Sequence, residues 1–324
     1  MAPTFQYIPV ADIALDDETH MMTYRPQMGA LRHSVTRAGV LMPLHLRRLS
    51  ERIHLQVVCG FKRLRICQEA GHTSVPALVY SAAELPAERA LLLALHDNLG
   101  CRELNPVEKA RVLWRLQHDF GYQRPTLIEE FCPLLGLPPR AATLEAYYAL
   151  ANLDDALQAA TVEGVLPLET ALWIGRHTAT DAQALVELFT GLKLGTNRAR
   201  EFAAWIDDMC RRDDCSAAWL LHHLGVGQLL ADATLAGPPR VEKIRRCLRQ
   251  ARYPQLSAHE QRFQETLRHL RLPPQISLRP PAYFDGAQYQ VAFSFGTRQE
   301  LQQYAQRLLD AAAEPAVDDL LTLL

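Results

Sequence analysis

Apolar and polar positions alternate where Ile53, Leu55 and Val57 interleave with His54, Gln56 and Val58, the period of two expected of a strand with one buried face. Gly60 ends that run, and the spacing lengthens at once. Phe61, Leu64 and Ala70 are placed to face a core, while Lys62, Arg63 and Arg65 crowd the first turn of a helix that Gly71 closes. Val75 to Tyr80 returns to the strand pattern. Upstream, Phe5 to Pro9 and Leu44 to Leu49 read as strands, and Leu31 to Ala38 as a helix ended by Gly39. Glu84 to His96, with Leu85, Leu91, Leu92 and Leu95, reads as helix, which sets the stretch from Asp97 to Glu108 just past a helix end. These elements predict a small mixed sheet flanked by short helices.

From Val107 the pattern is almost wholly helical. Asn105, Pro106 and Glu108 supply an N-cap, a first-turn proline and a third-position carboxylate, so capping is their first role and any other function their second. Gly121 ends the helix. Thr126 and Glu129 read as a capping box for the next one, and the run from Phe131 through Gly136 to Ala151 has the helix, glycine turn, helix layout of a helix-turn-helix. Helices follow from Asp181 to Leu235. Over Arg240 to Arg252, Val241, Ile244, Cys247, Leu248 and Ala251 share one helical face, and Lys243, Arg245, Arg246, Arg249 and Arg252 the other. Ile276 to Leu278 and Tyr289 to Phe295 read as strands around an Asp285-Gly286 turn, and Thr297 with Glu300 caps a last helix carrying Leu301, Tyr304, Leu308 and Leu309. The fold class expected is α+β, in four parts: a mixed-sheet domain over 1–104, a helix-turn-helix domain over 105–180, a helical domain over 181–272 and a strand-strand-helix module over 273–324.

Composition narrows the class without choosing a partner. A chain of 324 residues, 48% apolar and 22% charged with a net charge of −2, is an ordinary globular protein whose overall electrostatics favour no ligand. No apolar run approaches a membrane span and the start lacks the apolar core of a signal peptide, so a cytoplasmic protein without membrane contact is expected. Seven cysteines without a C-x-x-C pair indicate neither a disulfide framework nor a zinc site. The local chemistry is sharper. Three cations on a glycine turn at a helix N-terminus make a phosphate cradle, because the free backbone N–H groups already favour anions and each arginine donates bidentately. The plain alternative is a solvated basic helix start.

The turn and two other stretches together resemble the N-terminal domain of ParB/RepB-type partition proteins. That family carries G-E-R-R-x-R-A after a strand, which here reads Gly60-Phe61-Lys62-Arg63-Leu64-Arg65, and E-N-L-Q-R-x-x-L-N-P-I-E, which here reads Asp97-Asn98 through Asn105-Pro106-Val107-Glu108. Ser34 to Pro43 is similar to the family's S-I-x-x-x-G-x-x-Q-P segment. The resemblance implies a ParB/sulfiredoxin-like N-terminal fold that binds CTP, with Gly60, Lys62, Arg63, Arg65, Asn98 and Arg102 on the nucleotide and Asp97 and Asn98 beside a Mg2+ ion. It implies a nucleotide switch in chromosome or plasmid partition or DNA-linked regulation, and leaves slow Mg-dependent CTP hydrolysis open. Phe61 stands where the family has glutamate and Cys101 where it has arginine, departures that bear on hydrolysis more than on binding. The strand-strand-helix end resembles a family dimerisation module, which implies a homodimer.

Charge bears on how DNA is held. Between Thr126 and Thr170, Arg140 is the single cation against Glu129, Glu130, Glu145, Asp154, Asp155, Glu163 and Glu169, whereas a DNA reader needs cations to neutralise phosphates. Weak or non-specific DNA binding is therefore expected, through Arg140 or through Lys243, Arg245, Arg246 and Arg249, the alternative for the latter group being a solvated face laced with salt bridges. Two other functions stay open: a small-molecule kinase of the free-serine type on the same fold, and a structural adaptor with an inactive pocket.

Overall fold

The computed structural model describes residues 3–49 and 54–323, so the start of the central strand at Ile53 lies outside the described residues. The chain forms two compact units, one running to Ala182 and including Lys193–Thr196, the other made of Gln183–Leu192 and the chain from Asn197 on.

The first unit holds a five-stranded mixed sheet, β1 (Thr4–Pro9), β2 (Ile13–Ala14), β3 (Leu44–Arg48), β4 (Leu55–Cys59) and β5 (Ser74–Ser81), in the order β1-β5-β3-β4-β2. β5 is antiparallel to β1 and parallel to β3, while β4 is antiparallel to β3 and parallel to β2. Helices α1 (Gly29–Ala38) and α2 (Phe61–Glu69) add Val35, Leu64 and Ile66 to a core built on Leu44, Leu46, Val57, Val75 and Ala77. In α2 the buried positions are Leu64, Ile66 and Cys67, and Ala70 is exposed, because the helix has already ended and Ala70 lies at its cap.

β4 is buried at every residue, not on one face as its alternation predicts. A second core explains this: Val58 and Cys59 join Leu91 and Leu95 of α3 (Ala87–Cys101) and Leu113 and Leu116 of α4 (Pro106–His118), so helices cover the face that the alternation gives to solvent. α3 also runs on past His96, which puts Asp97 and Asn98 inside the helix and not beyond its end. Burial of Leu91, Ala94 and Leu95, together with the bond from Asn98 Nδ2 to the Ala94 carbonyl (2.8 Å), outweighs the poor helix propensity of Asn98 and Gly100. The capping box at Asn105 and Glu108 forms in full. The one at Thr126 does not: the next helix starts three residues earlier, at Arg124 after an N-cap at Gln123 and with Pro125 in its first turn, and Thr126 has helical backbone angles and no capping bond. That helix passes through a π turn over Leu127–Phe131, ends by Leu134, turns at Gly136 (φ +70°), and is followed by a helix over Ala141–Ala151.

From Thr196 on the chain is helical over Thr196–Asp213, Ala217–His223, Val226–Ala231, Pro238–Arg252 and Pro254–Leu270, all but Thr196 in the second unit. It finishes with an antiparallel pair, β6 (Ile276–Arg279) and β7 (Gln290–Phe293), and a helix over Arg298–Ala312 whose Thr297/Glu300 capping box is complete. Arg279 pairs directly with Gln290, and the chain between them makes a short turn at Ala282–Phe284 that buries Phe284 against Phe263.

Candidate functional site

A cavity of about 300 Å³ opens where β4 passes into α2, and both sequence motifs reach it. Gly60 holds the turn with φ +103°, and a β-carbon there would lie 3.0 Å from Leu44 Cγ and 3.2 Å from Arg63 Nη2, so both the backbone angle and the space require glycine. The α2 N-terminus, with its unpaired N–H groups, therefore starts on the cavity wall. Arg63 folds back over the turn and donates through Nη1 to the carbonyls of Met42 and Pro43 (3.2 Å to the latter), which fixes the loop after α1 against the glycine. Lys62 is half-buried, and burial followed by repulsion from Arg102 lowers its pKa below the usual lysine range.

The opposite wall comes from α3. Arg102 donates to Asn98 Oδ1 from Nε (3.2 Å) and Nη2 (3.0 Å), and to Glu108 Oε2 from Nη1 (2.6 Å). Glu108 is 1% exposed and also accepts the backbone N–H of Tyr24 and of Asn105, each at 3.0 Å. One carboxylate thus caps α4, aims a guanidinium at the cavity and holds the segment after β2. Asp97 lies beside the buried Cys59 thiol, whose pKa is pushed up to about 12 by burial and then by that carboxylate, so the cysteine stays protonated and is no nucleophile.

Of the residues implied by the resemblance, Gly60, Lys62, Arg63, Asp97, Asn98 and Arg102 all line the cavity. Arg65 does not: 71% exposed and 3.7 Å from Glu69, it lines a neighbouring cavity that shares Thr23, Phe61 and Lys62 with this one. The donor set for a metal is thin. Asn98 Oδ1 already accepts two bonds from a cation, and its amide nitrogen is spent on Ala94, which leaves Asp97 as the hard anionic ligand of the pair. Among the described residues no cluster of three or more histidines, cysteines or carboxylates is able to hold an ion.

His20, Met22 and Thr23 also line the cavity and carry no sequence signal, since they sit in an irregular segment without periodicity. His20 is 1% exposed, and burial lowers its pKa to about 4, leaving a neutral ring at pH 7.

The expected nucleic-acid residues fall elsewhere. Arg140 is exposed at the N-cap of Ala141–Ala151, but that helix buries Tyr147 and Tyr148, and its exposed positions are Ala141, Ala142, Glu145 and Ala149, with Glu145 paired to Arg124. In the second unit Arg245 binds Glu201 through two bonds of 2.9 Å and Arg249 binds Glu260 through bonds of 2.6 and 2.7 Å, while Lys243 and Arg246 are exposed.

Among the described residues no helix is long and apolar enough to cross a membrane. The model of the ParB N-terminal domain matches residues 3–99. A probable chromosome-partitioning protein ParB of Pseudomonas putida is 37% identical over 90 residues, 28% of this chain and 30% of that protein, so the chain spans under a third of that relative's length. A probable plasmid-partitioning protein ParB of Thermus thermophilus is 30% identical over 218 residues, 59% of this chain and 71% of that protein. Among solved structures, a C-terminally truncated chromosome-partitioning ParB of Caulobacter crescentus complexed with CTP-γ-S is 24% identical with a TM-score of 0.27, covering 57% of this chain and 98% of that one. The same protein complexed to the centromeric parS site is 21% identical with a TM-score of 0.37, covering 61% and 98%. With the Gly60 turn, the Asp97-Asn98 helix and a relative matched over most of its length all in agreement, the chain belongs to the ParB family of partition proteins.

Proposed function

We propose that this protein is a cytoplasmic, CTP-binding switch in chromosome or plasmid partition. The observation that carries the reading is the cavity itself: residues some forty apart in sequence, Gly60 to Arg63 and Asp97 to Arg102, face one space through a helix N-terminus and three cationic side chains. That is a set of groups suited to a triphosphate. Mg2+ would neutralise phosphate charge, held through Asp97 with phosphate oxygens completing its shell. DNA is bound weakly and without sequence preference, because the exposed surface of Ala141–Ala151 carries alanines and a glutamate where a reader carries base-contacting side chains. The β6–β7 pair and the helix after it, with Val291, Phe295 and Leu309 exposed, supply a homodimer contact. The test is calorimetric titration with CTP, ATP, GTP and UTP, with and without Mg2+. CTP binds, and Arg63→Ala weakens it at least about tenfold, since each charge-assisted bond to phosphate is worth roughly 1.5–3 kcal/mol. A chain that ignores all four nucleotides is the structural adaptor instead.

A further inference from the structure

The helix over Thr196–Asp213 ends in a turn that sets two cysteines side by side. Asp214 takes a left-handed backbone angle (φ +48°), and the Cys215 N–H donates to the Cys210 carbonyl at 3.1 Å. That bond makes a Schellman end, in which the side chains at the two bonded positions meet on one side of the turn. Apolar side chains commonly fill the contact; here both are cysteines, reduced and half-buried. The covalent lengths on either side of the 3.1 Å bond keep the two Cα atoms under about 7 Å apart, the span that a disulfide reaches. The other five cysteines are set apart. Cys59, Cys67 and Cys132 are buried in the first unit, where Cys101 is exposed, and Cys247 points its thiol at the Leu224 carbonyl (3.5 Å). The residues enclosed by the pair tie the turn down: Arg212 Nη1 donates to the carbonyls of Ala251 and Arg252 (both 3.2 Å) at the end of the basic helix, and Nε and Nη2 donate to Asp213 (both 2.7 Å).

We infer that Cys210 and Cys215 are a dithiol modification site, closed reversibly to a disulfide by a low-molecular-weight disulfide, RSSR. One thiolate attacks a sulfur of RSSR, forming a mixed disulfide and expelling RS−. The second thiolate attacks the protein sulfur of that mixed disulfide, the S–S bond between the two cysteines forms, and the second RS− leaves. The two thiol protons end on the two leaving groups, so two protein thiols and RSSR give one protein disulfide and two RSH, with two electrons passing from the protein sulfurs to the reagent. The turn favours the second step, because the resolving thiol is already in place when the mixed disulfide forms. The product fixes the end of the helix over Thr196–Asp213 to the start of the helix over Ala217–His223, at the joint that Arg212 ties to the basic helix. Two cysteines serving only as small apolar side chains are the alternative, and they would show no preference for each other.

The experiment is exposure of the full chain to glutathione disulfide, native and in guanidinium chloride, followed by alkylation of the remaining thiols, tryptic digestion and mass spectrometry. Cleavage after Arg211 and Arg212 separates the two cysteines, so their disulfide reads as peptides 201–211 and 213–240 joined, and dithiothreitol parts them. In the native protein the joined pair forms at least about tenfold faster than in denaturant, and neither cysteine retains glutathione. In Cys215→Ser the joined pair is lost, and the glutathione adduct on Cys210 rises at least about tenfold above the wild type. Joining no faster in the native protein than in denaturant overturns the inference, because sequence spacing alone would then account for it. A lasting glutathione adduct on either cysteine of the wild type, a disulfide to one of the other five cysteines in its place, or no reaction at all overturns it equally. If Cys215→Ser does not fold, the wild-type comparison of native with denatured chain decides alone.

Discussion

Replacing Glu108 by alanine removes the one carboxylate on which three donors converge: the Tyr24 N–H on Oε1, and the Asn105 N–H and Arg102 Nη1 on Oε2. With Glu108 1% exposed and the Arg102 side chain 26% exposed, the loss leaves a partly buried guanidinium without its anion and two backbone donors without acceptors. Breaking a buried pair of this kind costs about 3–5 kcal/mol, of which the cap accounts for roughly 1 kcal/mol. At roughly 2–4 °C per kcal/mol for a unit of this size, the melting point of the first unit falls by about 6–20 °C. Glu108→Gln keeps one acceptor oxygen but turns an NH2 toward a donor, and falls between alanine and wild type. Because the chain has two units, a single melting curve does not isolate the effect. Amide hydrogen exchange at Tyr24 and Asn105 reads it locally, and a double-mutant cycle with Arg102→Ala isolates the pair. A Glu108→Ala protein within about 1 kcal/mol of wild type, with exchange at both amides unchanged, would refute the reasoning.

Two further outcomes follow from the same geometry. Asp97→Ala abolishes the Mg2+ dependence of nucleotide binding while the circular dichroism spectrum stays that of the wild type; an unchanged Mg2+ dependence assigns Asp97 to its contact with Cys59 alone. On DNA, the exposed pair Lys243 and Arg246 gives a log–log salt slope of about −1.8 per protomer by fluorescence anisotropy on random duplexes, and reversing both to glutamate abolishes the signal, whereas a slope near about −4.5 would mean that the ion-paired arginines also reach phosphates.

The sheet was legible because its strands alternate and its helices are bounded by glycines, and half of the cavity because Gly60 and the cations after it form a local pattern. What escaped is non-local. Gln56 reads as the solvent side of a half-buried strand, yet it is buried because Asp17 and His20, from the segment after β2, and Arg47, from β3, meet it there. His20 itself lies in a segment with no period to read. The Arg240 to Arg252 face had two readings, a phosphate-binding surface and a solvated face laced with salt bridges, and the structure shows the second for three of its arginines, whose opposing carboxylates the sequence of one helix does not reveal. Glu201 and Asp208 come from Thr196–Asp213 and Glu260 from Pro254–Leu270, and they pair with Arg245, Arg252 and Arg249. Asp97 and Asn98 were displaced from a loop into a helix for the same reason: Leu91 and Leu95 find a core that helix propensity does not foresee.

Glu108 shows why capping and function are poor alternatives when a site is read from sequence. As an N3 carboxylate it satisfies a backbone donor at the start of α4, which accounts for the residue without any ligand. Yet its second bond holds Arg102, and Arg102 in turn holds Asn98, so the cavity wall takes its shape from a helix cap. Its third bond reaches Tyr24, next to the Thr23 that lines the cavity, and the Asn105 side chain donates to the Tyr24 carbonyl at 3.3 Å. The capping motif therefore places two walls of the cavity relative to each other through bonds of about 3 Å that are shielded from water, where they are worth more than at the surface. A ligand that recruits the Arg102 guanidinium must either share it with Glu108 or weaken the cap. Sharing is the favourable course, since the carboxylate stays buried and paired while the guanidinium's remaining N–H groups turn to the ligand.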